Sequence, residues 1–218
     1  MDLASIHIYR MTHIENIPHI LLHGITHKKS PNSNARYVAI GDTSLISTRE
    51  TMQVPITNGN RSLPKSHIIL GDFIPFYFGV RMPMLYVVQR GGNCVEKATP
   101  PKDIVYLVCK VIDIIASGIT YYFSDGHATD SLSSFYDSSK ITDLPKIINW
   151  DAVIKVKYWS GDTNLLLKSK KQAEFLVADD IPAKFLLGFV CYNSEAQERL
   201  IKMGIESDNI RIKSDAYY

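Results

Sequence analysis

Apolar and polar positions alternate where the chain begins. Ser5-Ile6-His7-Ile8-Tyr9-Arg10-Met11 has the two-residue period of a strand. The period then changes. Ile14, Ile17, Ile20 and Leu21 recur at three- and four-residue spacing, which predicts a helix over about 13–23. Thr12 stands at the N-cap position with Glu15 three residues on, the capping-box spacing, and Gly24 follows where a C-terminal cap belongs. From 26 to 60 the periodicity disappears, and Ser, Asn, Thr, Gly and Pro dominate, as in Pro31-Asn32-Ser33-Asn34 and Thr57-Asn58-Gly59-Asn60. Long aperiodic loops are uncommon inside domains and are usually functional or disordered. This one reads as a functional loop carrying one short helix near 44–51.

Phe73–Phe78 and Pro83–Val88 read as buried strands. Residues 101–117 read as a helix, with Pro101 early and Gly118 past the end. A strand is expected over 119–124, then a turn at Asp125-Gly126-His127-Ala128. Val153–Trp159 fits helix or strand, and Ile181–Leu186 stays undecided. Glu174–Val177 and Phe189–Tyr192 read as strands, Ser194–Met203 as a helix and Ile210–Lys213 as an edge strand. Strands crowd the middle and helices are scattered, so the pattern predicts an α+β fold, not a regular α/β alternation. No internal repeat or long linker divides the chain, and 1–218 is expected to be a single domain.

Composition narrows this picture. Hydrophobic residues are 45% and charged residues 21%, which excludes a disordered chain. The net charge of +2 does not mark a nucleic-acid binder in bulk, but charge is concentrated locally. Residues 155–173 hold five lysines (155, 157, 168, 170 and 171) against one acid, Asp162, with Tyr158 and Trp159 among them. Basic residues interleaved with aromatics suit single-stranded nucleic acid; a solvated basic loop is the alternative. No apolar run approaches the roughly 18 residues of a membrane span, and the start lacks a signal-peptide pattern, so a cytoplasmic protein without membrane contact is expected. Cys94, Cys109 and Cys191 form no Cys-x-x-Cys pair and read as free thiols. His19 and His23 have ligand spacing but no third ligand, so no metal is expected. No heptad pattern appears, and a monomer is expected.

The common catalytic signatures, including Gly-x-Gly-x-x-Gly, the P-loop, His-Glu-x-x-His and Gly-x-Ser-x-Gly, are absent. Four features remain beside the basic stretch. His13 sits at a strand-to-helix junction, structural or functional. Arg49 sits in the polar loop, where a planar fork grips phosphates or a planar base, or is merely solvated. Asp72–Leu85 is dense in aromatics beside Arg81, as core strand or pocket wall. Glu174 is a lone acid entering an apolar strand. Burying it costs free energy unless it has partners or work, which makes it the strongest catalytic candidate on physical grounds.

Several segments, in this order and spacing, resemble the DarT family of DNA ADP-ribosyltransferase toxins. They are Ile8-Tyr9-Arg10-Met11-Thr12-His13-Ile14-Glu15-Asn16-Ile17-Pro18 with Gly24, Asp72–Phe78, Met82–Tyr86, Ser124-Asp125-Gly126-His127-Ala128 and Lys171–Val177. The resemblance covers most of the chain. It implies a PARP-like ADP-ribosyltransferase fold, a split and bent pair of β-sheets with NAD+ in the cleft between them. It implies transfer of ADP-ribose from NAD+ to a base of single-stranded DNA, thymine in one branch and guanine in a sibling branch, and a macrodomain antitoxin of the DarG kind as partner.

Residue by residue, the resemblance places the NAD+-contacting histidine at His13, with Thr12 and Ile14 offering backbone contacts to the nicotinamide amide. It makes about 26–60 the NAD-binding loop, with Arg49 as catalytic arginine and Arg36 and Arg61 as competitors for that match. It makes Glu174 the catalytic glutamate, about 125–173 the substrate-recognition loop with Lys168 and Lys170 on DNA, and Tyr77 a wall of the nicotinamide pocket. Two other classes stay open: an ADP-ribosyltransferase acting on RNA or protein, and a nucleic-acid-binding domain without turnover. In the enzyme reading, Glu174 stabilises positive charge developing on the ribose. Arginine is a poor base at neutral pH, so Arg49 is expected to stabilise negative charge on the base and pyrophosphate.

Overall fold

The computed structural model of the protein describes residues 2–92, 94–157 and 165–218. In chain order its elements are β1 (His7–His13), α1 (Ile17–His23), α2 (Thr43–Thr51), β2 (Gln53–Ile56), β3 (Ser66–Ile69), β4 (Ile74–Tyr77), α3 (Pro83–Arg90), β5 (Ile104–Lys110) and α4 (Val111–Ala116). There follow β6 (Tyr121–Ser124), β7 (Phe135–Tyr136), α5 (Leu144–Ile147), α6 (Leu165–Lys171), β8 (Glu174–Val177), β9 (Gly188–Cys191), α7 (Ser194–Lys202) and β10 (Ile210–Ile212). Among the described residues the strands form one mixed sheet in the order β10-β9-β5-β1-β4-β8-β6-β7-β2-β3.

The join in the middle of that sheet is thin. β1 pairs with β5 along its whole length, from His7↔Lys110 to His13↔Ile104. On its other side it meets β4 at one register pair, Tyr9↔Tyr77. The sheet is therefore two wings hinged at these tyrosines, which is the split architecture expected for the fold.

Side chains alternate across a strand, and here the alternation sorts the molecule. On one face, Ile8, Phe76, Leu107, Phe123, Phe175 and Val177 form a core common to both wings, covered by Ile17 and Ile20 of α1, Ile114 of α4 and Leu200 of α7. On the opposite face each wing has its own smaller cluster. Leu85, Val88, Tyr106 and Tyr217 fill one, and Val54, Ile56, Leu70, Phe135 and Leu176 fill the other. The divide between these two clusters is where the polar groups converge.

Three expected elements differ. Pro83–Val88 is helical, not a strand: Pro83 opens α3, Leu85 and Val88 are buried three residues apart, and Tyr86 is exposed. A short apolar run reads either way from sequence. The segment 101–117 is a short turn, then β5, then α4. Ile104–Cys109 is apolar throughout because β5 is buried on both faces between β1 and β9. Finally, β1 runs on through His13, and a 3₁₀ turn at Ile14–Asn16 precedes α1. Thr12 caps nothing; its hydroxyl accepts a hydrogen bond from Asn16 Nδ2. α2, β8, β9, α7 and β10 lie within a residue or two of expectation, β10 as an edge strand parallel to β9. Of the undecided segments, Ala183–Phe185 is a 3₁₀ turn and Asp151–Lys155 a wide helical turn. Tyr158, Trp159 and Asp162 lie outside the described residues.

Candidate active site

Glu174 begins β8. The register pairs it with Tyr77, which in turn pairs with Tyr9, so three side chains form a row across three strands on the face away from the common core. Glu174 is fully buried. Its Oε1 accepts from Arg49 Nη1 at 3.1 Å and from the Ala128 N–H at 3.1 Å; its Oε2 accepts from Arg49 Nη2 at 2.9 Å. Its own N–H donates to Ser124 Oγ at 3.2 Å, and that hydroxyl donates to Gly126 O at 2.6 Å. The charge-assisted fork and the extra N–H offset the cost of burying the carboxylate. Among the described residues Oε2 has a single donor, which leaves a lone pair for a ligand hydroxyl.

Arg49 comes from α2, a helix with no buried residue, so packing of an apolar face does not place it. Its ends do. Asp42 Oδ1 caps the N-terminus, accepting from Ser44 N at 2.9 Å and Leu45 N at 3.1 Å. The Ser44 hydroxyl, then these backbone donors, hold the Asp42 carboxyl below its usual range against the effect of burial. At the other end the Leu70 N–H donates to Met52 O at 3.0 Å. Gly71 then lies directly on the helix backbone: a Cβ there would sit 2.6 Å from Glu50 Cα and 2.9 Å from Arg49 O. Only glycine permits that approach. Burial disfavours the Arg49 charge, but the Glu174 charge and hydrogen bonds more than reverse this, so its pKa stands above the usual value. The competitors lie elsewhere. Arg61 bonds Leu132 O and Ser134 Oγ, and Arg36 is exposed.

Tyr77 is partly buried, and burial, then the Glu174 charge, pushes its phenol pKa well up, with Arg49 and Arg10 opposing. His13 closes β1. Its Nδ1 accepts from the Glu15 N–H at 3.2 Å. Burial lowers its pKa, Asp103 and Glu15 oppose, and Arg199 lowers it further. Arg199 itself bridges Asp103 at 2.5 Å and Glu15 at 2.9 Å. Ile14 points into the common core, so only its backbone is available to a ligand.

Sequence reasoning missed Asn16. It is fully buried, and its Nδ2 donates to Thr12 Oγ1 at 3.0 Å and to Val38 O at 2.9 Å while its Oδ1 accepts from Val38 N at 2.8 Å. It ties the polar loop to the end of β1. A polar residue inside an apolar helical pattern was the available signal.

The lysines divide. Lys168 is exposed. Lys170 is paired with Asp125 at 2.7 Å, linking α6 to the turn after β6. Lys171 is 2% exposed, donates to Val153 O at 3.1 Å, and has its pKa pushed down to about 8 by burial. The positive charge of this stretch is therefore partly committed within the fold. Among the described residues no group of three or more His, Cys, Asp or Glu side chains could hold a metal ion, and no helix is long and apolar enough to cross a membrane. The rings of His19 and His23 lie 4.6 Å apart, tilted by 34°.

A buried carboxylate gripped by an arginine fork, between two wings of a split sheet, suits stabilisation of positive charge on a substrate. Comparison with known proteins agrees. A family model described as "ssDNA thymidine ADP-ribosyltransferase, DarT" matches residues 9–218. A DNA ADP-ribosyl transferase of Thermus sp. (strain 2.9) is 29% identical over 97% of this chain and 95% of its own. The structure of Thermus sp. 2.9 DarT in complex with ADP-ribosylated ssDNA superposes with a TM-score of 0.79 at 26% identity, covering 97% of this chain and 96% of that one. Its complex with NAD+ gives 0.74 at 26% identity, covering 97% of both chains. A DNA ADP-ribosyl transferase–DNA ADP-ribosyl glycohydrolase fusion protein of Thermosipho africanus is 27% identical over 95% of this chain and 48% of the fusion.

Proposed function

The chain belongs to the DarT family of ssDNA thymidine ADP-ribosyltransferases, and from that membership we propose how its cleft divides the work. The protein is an NAD+-dependent DNA ADP-ribosyltransferase. NAD+ supplies the electrophilic ribose carbon, with nicotinamide as the leaving group. The acceptor in this reading is thymine in single-stranded DNA, supported by the family description. Single strands offer base edges without the cost of flipping a base out of a duplex.

The observation that carries the assignment is the doubly hydrogen-bonded Arg49–Glu174 pair at the divide between the wings. Glu174 presents its free lone pair to the ribose hydroxyls and sets negative charge where positive charge develops. Arg49 keeps the carboxylate ionised and aimed, and offers its charge to the pyrophosphate and to the base as it becomes anionic. His13, with the backbone of Thr12 and Ile14, holds the nicotinamide end, and Tyr77 walls the pocket. Lys168 contacts the DNA backbone, and Lys170 supports the recognition loop through Asp125.

In the cell this chemistry makes the protein a toxin that blocks replication in the bacterial cytoplasm, acting as a monomer. A macrodomain antitoxin removing the modification is its partner, a reading supported by the glycohydrolase fused to the Thermosipho relative. The test is incubation with NAD+ and short single-stranded oligonucleotides that each lack one base, read by mass. An ADP-ribose adduct absent only without thymine, and absent in Glu174→Gln, is the expected result. An adduct that follows guanine overturns the base assignment, and no adduct on any DNA overturns the acceptor.

A further inference from the structure

Arg81 stands four residues past Tyr77, in the loop between β4 and α3, with a φ of +56°. Among the described residues Asn58 is the only other non-glycine with a positive φ, and asparagine tolerates that region where arginine does not. Tertiary contacts therefore hold Arg81 there.

Both backbone groups of Arg81 are taken by tyrosine hydroxyls. Its N–H donates to Tyr106 Oη at 3.1 Å, and its carbonyl accepts from Tyr218 Oη at 2.7 Å. Its guanidinium carbon lies 4.4 Å from the centre of the Tyr218 ring. Tyr218 is itself fixed, its N–H donating to Gln89 Oε1 of α3 at 2.9 Å. The residues before it are tied to the same sheet. Ala216 O accepts from Tyr106 Oη at 3.2 Å, and Tyr217 Oη lies 3.0 Å from the carbonyls of Ile104 and Val190. The segment 216–218 thus clasps the β4–α3 loop to β5 and α3.

The loop in turn bears on the segment read as substrate recognition. Gly79, two residues before Arg81, lies directly on Val153: a Cβ there would sit 2.7 Å from Val153 Cγ1 and 3.2 Å from Val153 O. The same carbonyl accepts from the buried Lys171 Nζ at 3.1 Å. Val153 is therefore held between the loop and α6. Close packing passes a shift of the loop to the Asp151–Lys155 turn.

We propose that Tyr218 is a positioning residue for the DNA acceptor. With Tyr106 it holds Arg81 in the left-handed conformation, and that conformation sets the recognition segment through Gly79 and Val153. The proposal rests on residues 125–173 being the recognition loop. Tyr218 acts on the fraction of molecules whose acceptor side is formed, and apparent affinity falls with that fraction. The NAD+ side, carried by β1, α2 and β8, does not depend on the clasp.

The test is Tyr218→Phe, which keeps the ring and removes the hydroxyl that holds the Arg81 carbonyl. The KM of a single-stranded thymine oligonucleotide should rise about fivefold, the effect of one lost hydrogen bond. The kcat and the NAD+ affinity should stay within about twofold. Hydrogen exchange of the amides at 78–82 and 151–155 should quicken. Glycine adopts a positive φ without the clasp. In an Arg81→Gly background, therefore, the same Tyr218→Phe change should alter the KM by less than about twofold. Unchanged exchange at either segment, equal effects in the two backgrounds, or a matching loss of NAD+ affinity overturns the proposal. Faster exchange at both segments with an unchanged KM leaves the clasp and overturns its role in recognition. An unsubstituted protein that modifies no thymine oligonucleotide defeats the acceptor reading instead, and exchange then decides the clasp by itself.

Discussion

Two arginine–carboxylate clusters act on residues of the site. Arg199 joins Asp103 and Glu15, whose charges act on His13; Arg49 joins Glu174. The chemistry is the same, but the surroundings differ. The Glu15 side chain is 56% exposed and that of Glu174 is 0% exposed. Water screens the Arg199–Glu15 pair, which is worth about 0–1 kcal/mol; Asp103 is the more sheltered partner. In the second cluster, losing one partner strands a buried charge, at a cost of about 3–5 kcal/mol. The exposed cluster is suited to holding a strand end and tuning a histidine. The buried one is suited to acting on charge that appears during a reaction, because a low-dielectric site weakens such fields little.

That contrast is tested most severely at Glu174. Glu174→Gln should slow transfer by at least about 100-fold, measured by adduct mass, whereas Arg199→Ala should keep most of the activity. Equal losses would break the distinction. Next, Arg49→Met should cost about 3–5 kcal/mol in urea unfolding. Combining it with Glu174→Gln should recover most of that stability and none of the activity, since no unpaired charge remains. Additive losses would show that the pair is not what confers the stability.

Smaller effects sharpen the picture. Asp42→Ala removes the cap of the helix carrying Arg49 and should cost about 1 kcal/mol. Because the Asp42 carboxyl is depressed in the folded protein, its contribution is complete above the unfolded value near 3.8 and is lost as pH falls through the folded value. The stability gap between protein and variant should close over that acidic range; a gap independent of pH would exclude the charged cap. Smallest, Arg199→Ala should raise the His13 pKa, because a cation that lowers it is gone while Asp103 and Glu15 remain. An NMR titration of the His13 ring that moves downward would contradict this.

Glu174 was legible in the sequence because a lone carboxylate in an apolar strand must be either paired or at work. The helix at Thr43–Thr51 and the strands β8 and β9 were legible from local pattern. Pro83–Arg90 was not, since six apolar positions are compatible with either period until something packs on them. β5 was hidden for a related reason: a strand buried on both faces has no alternation to show. Asn16 looked like an unremarkable helix residue because its partners, Thr12 and Val38, belong to a strand and a loop on either side of that pattern.

By itself, then, the sequence determined which groups are present, the α+β class and the family, since these rest on residue types, local periods and short motifs read in order. The meeting of those groups was decided by tertiary structure alone. Arg49 and Glu174 are 125 residues apart. Their contact depends on the register of β8 against β4 and on the closeness of Gly71 to the helix backbone. The Ala128 N–H reaches the carboxylate through the turn after β6. No local propensity encodes these distances, because each is set by the packing of the common core beneath the sheet and by the single pair, Tyr9 and Tyr77, at which the wings join.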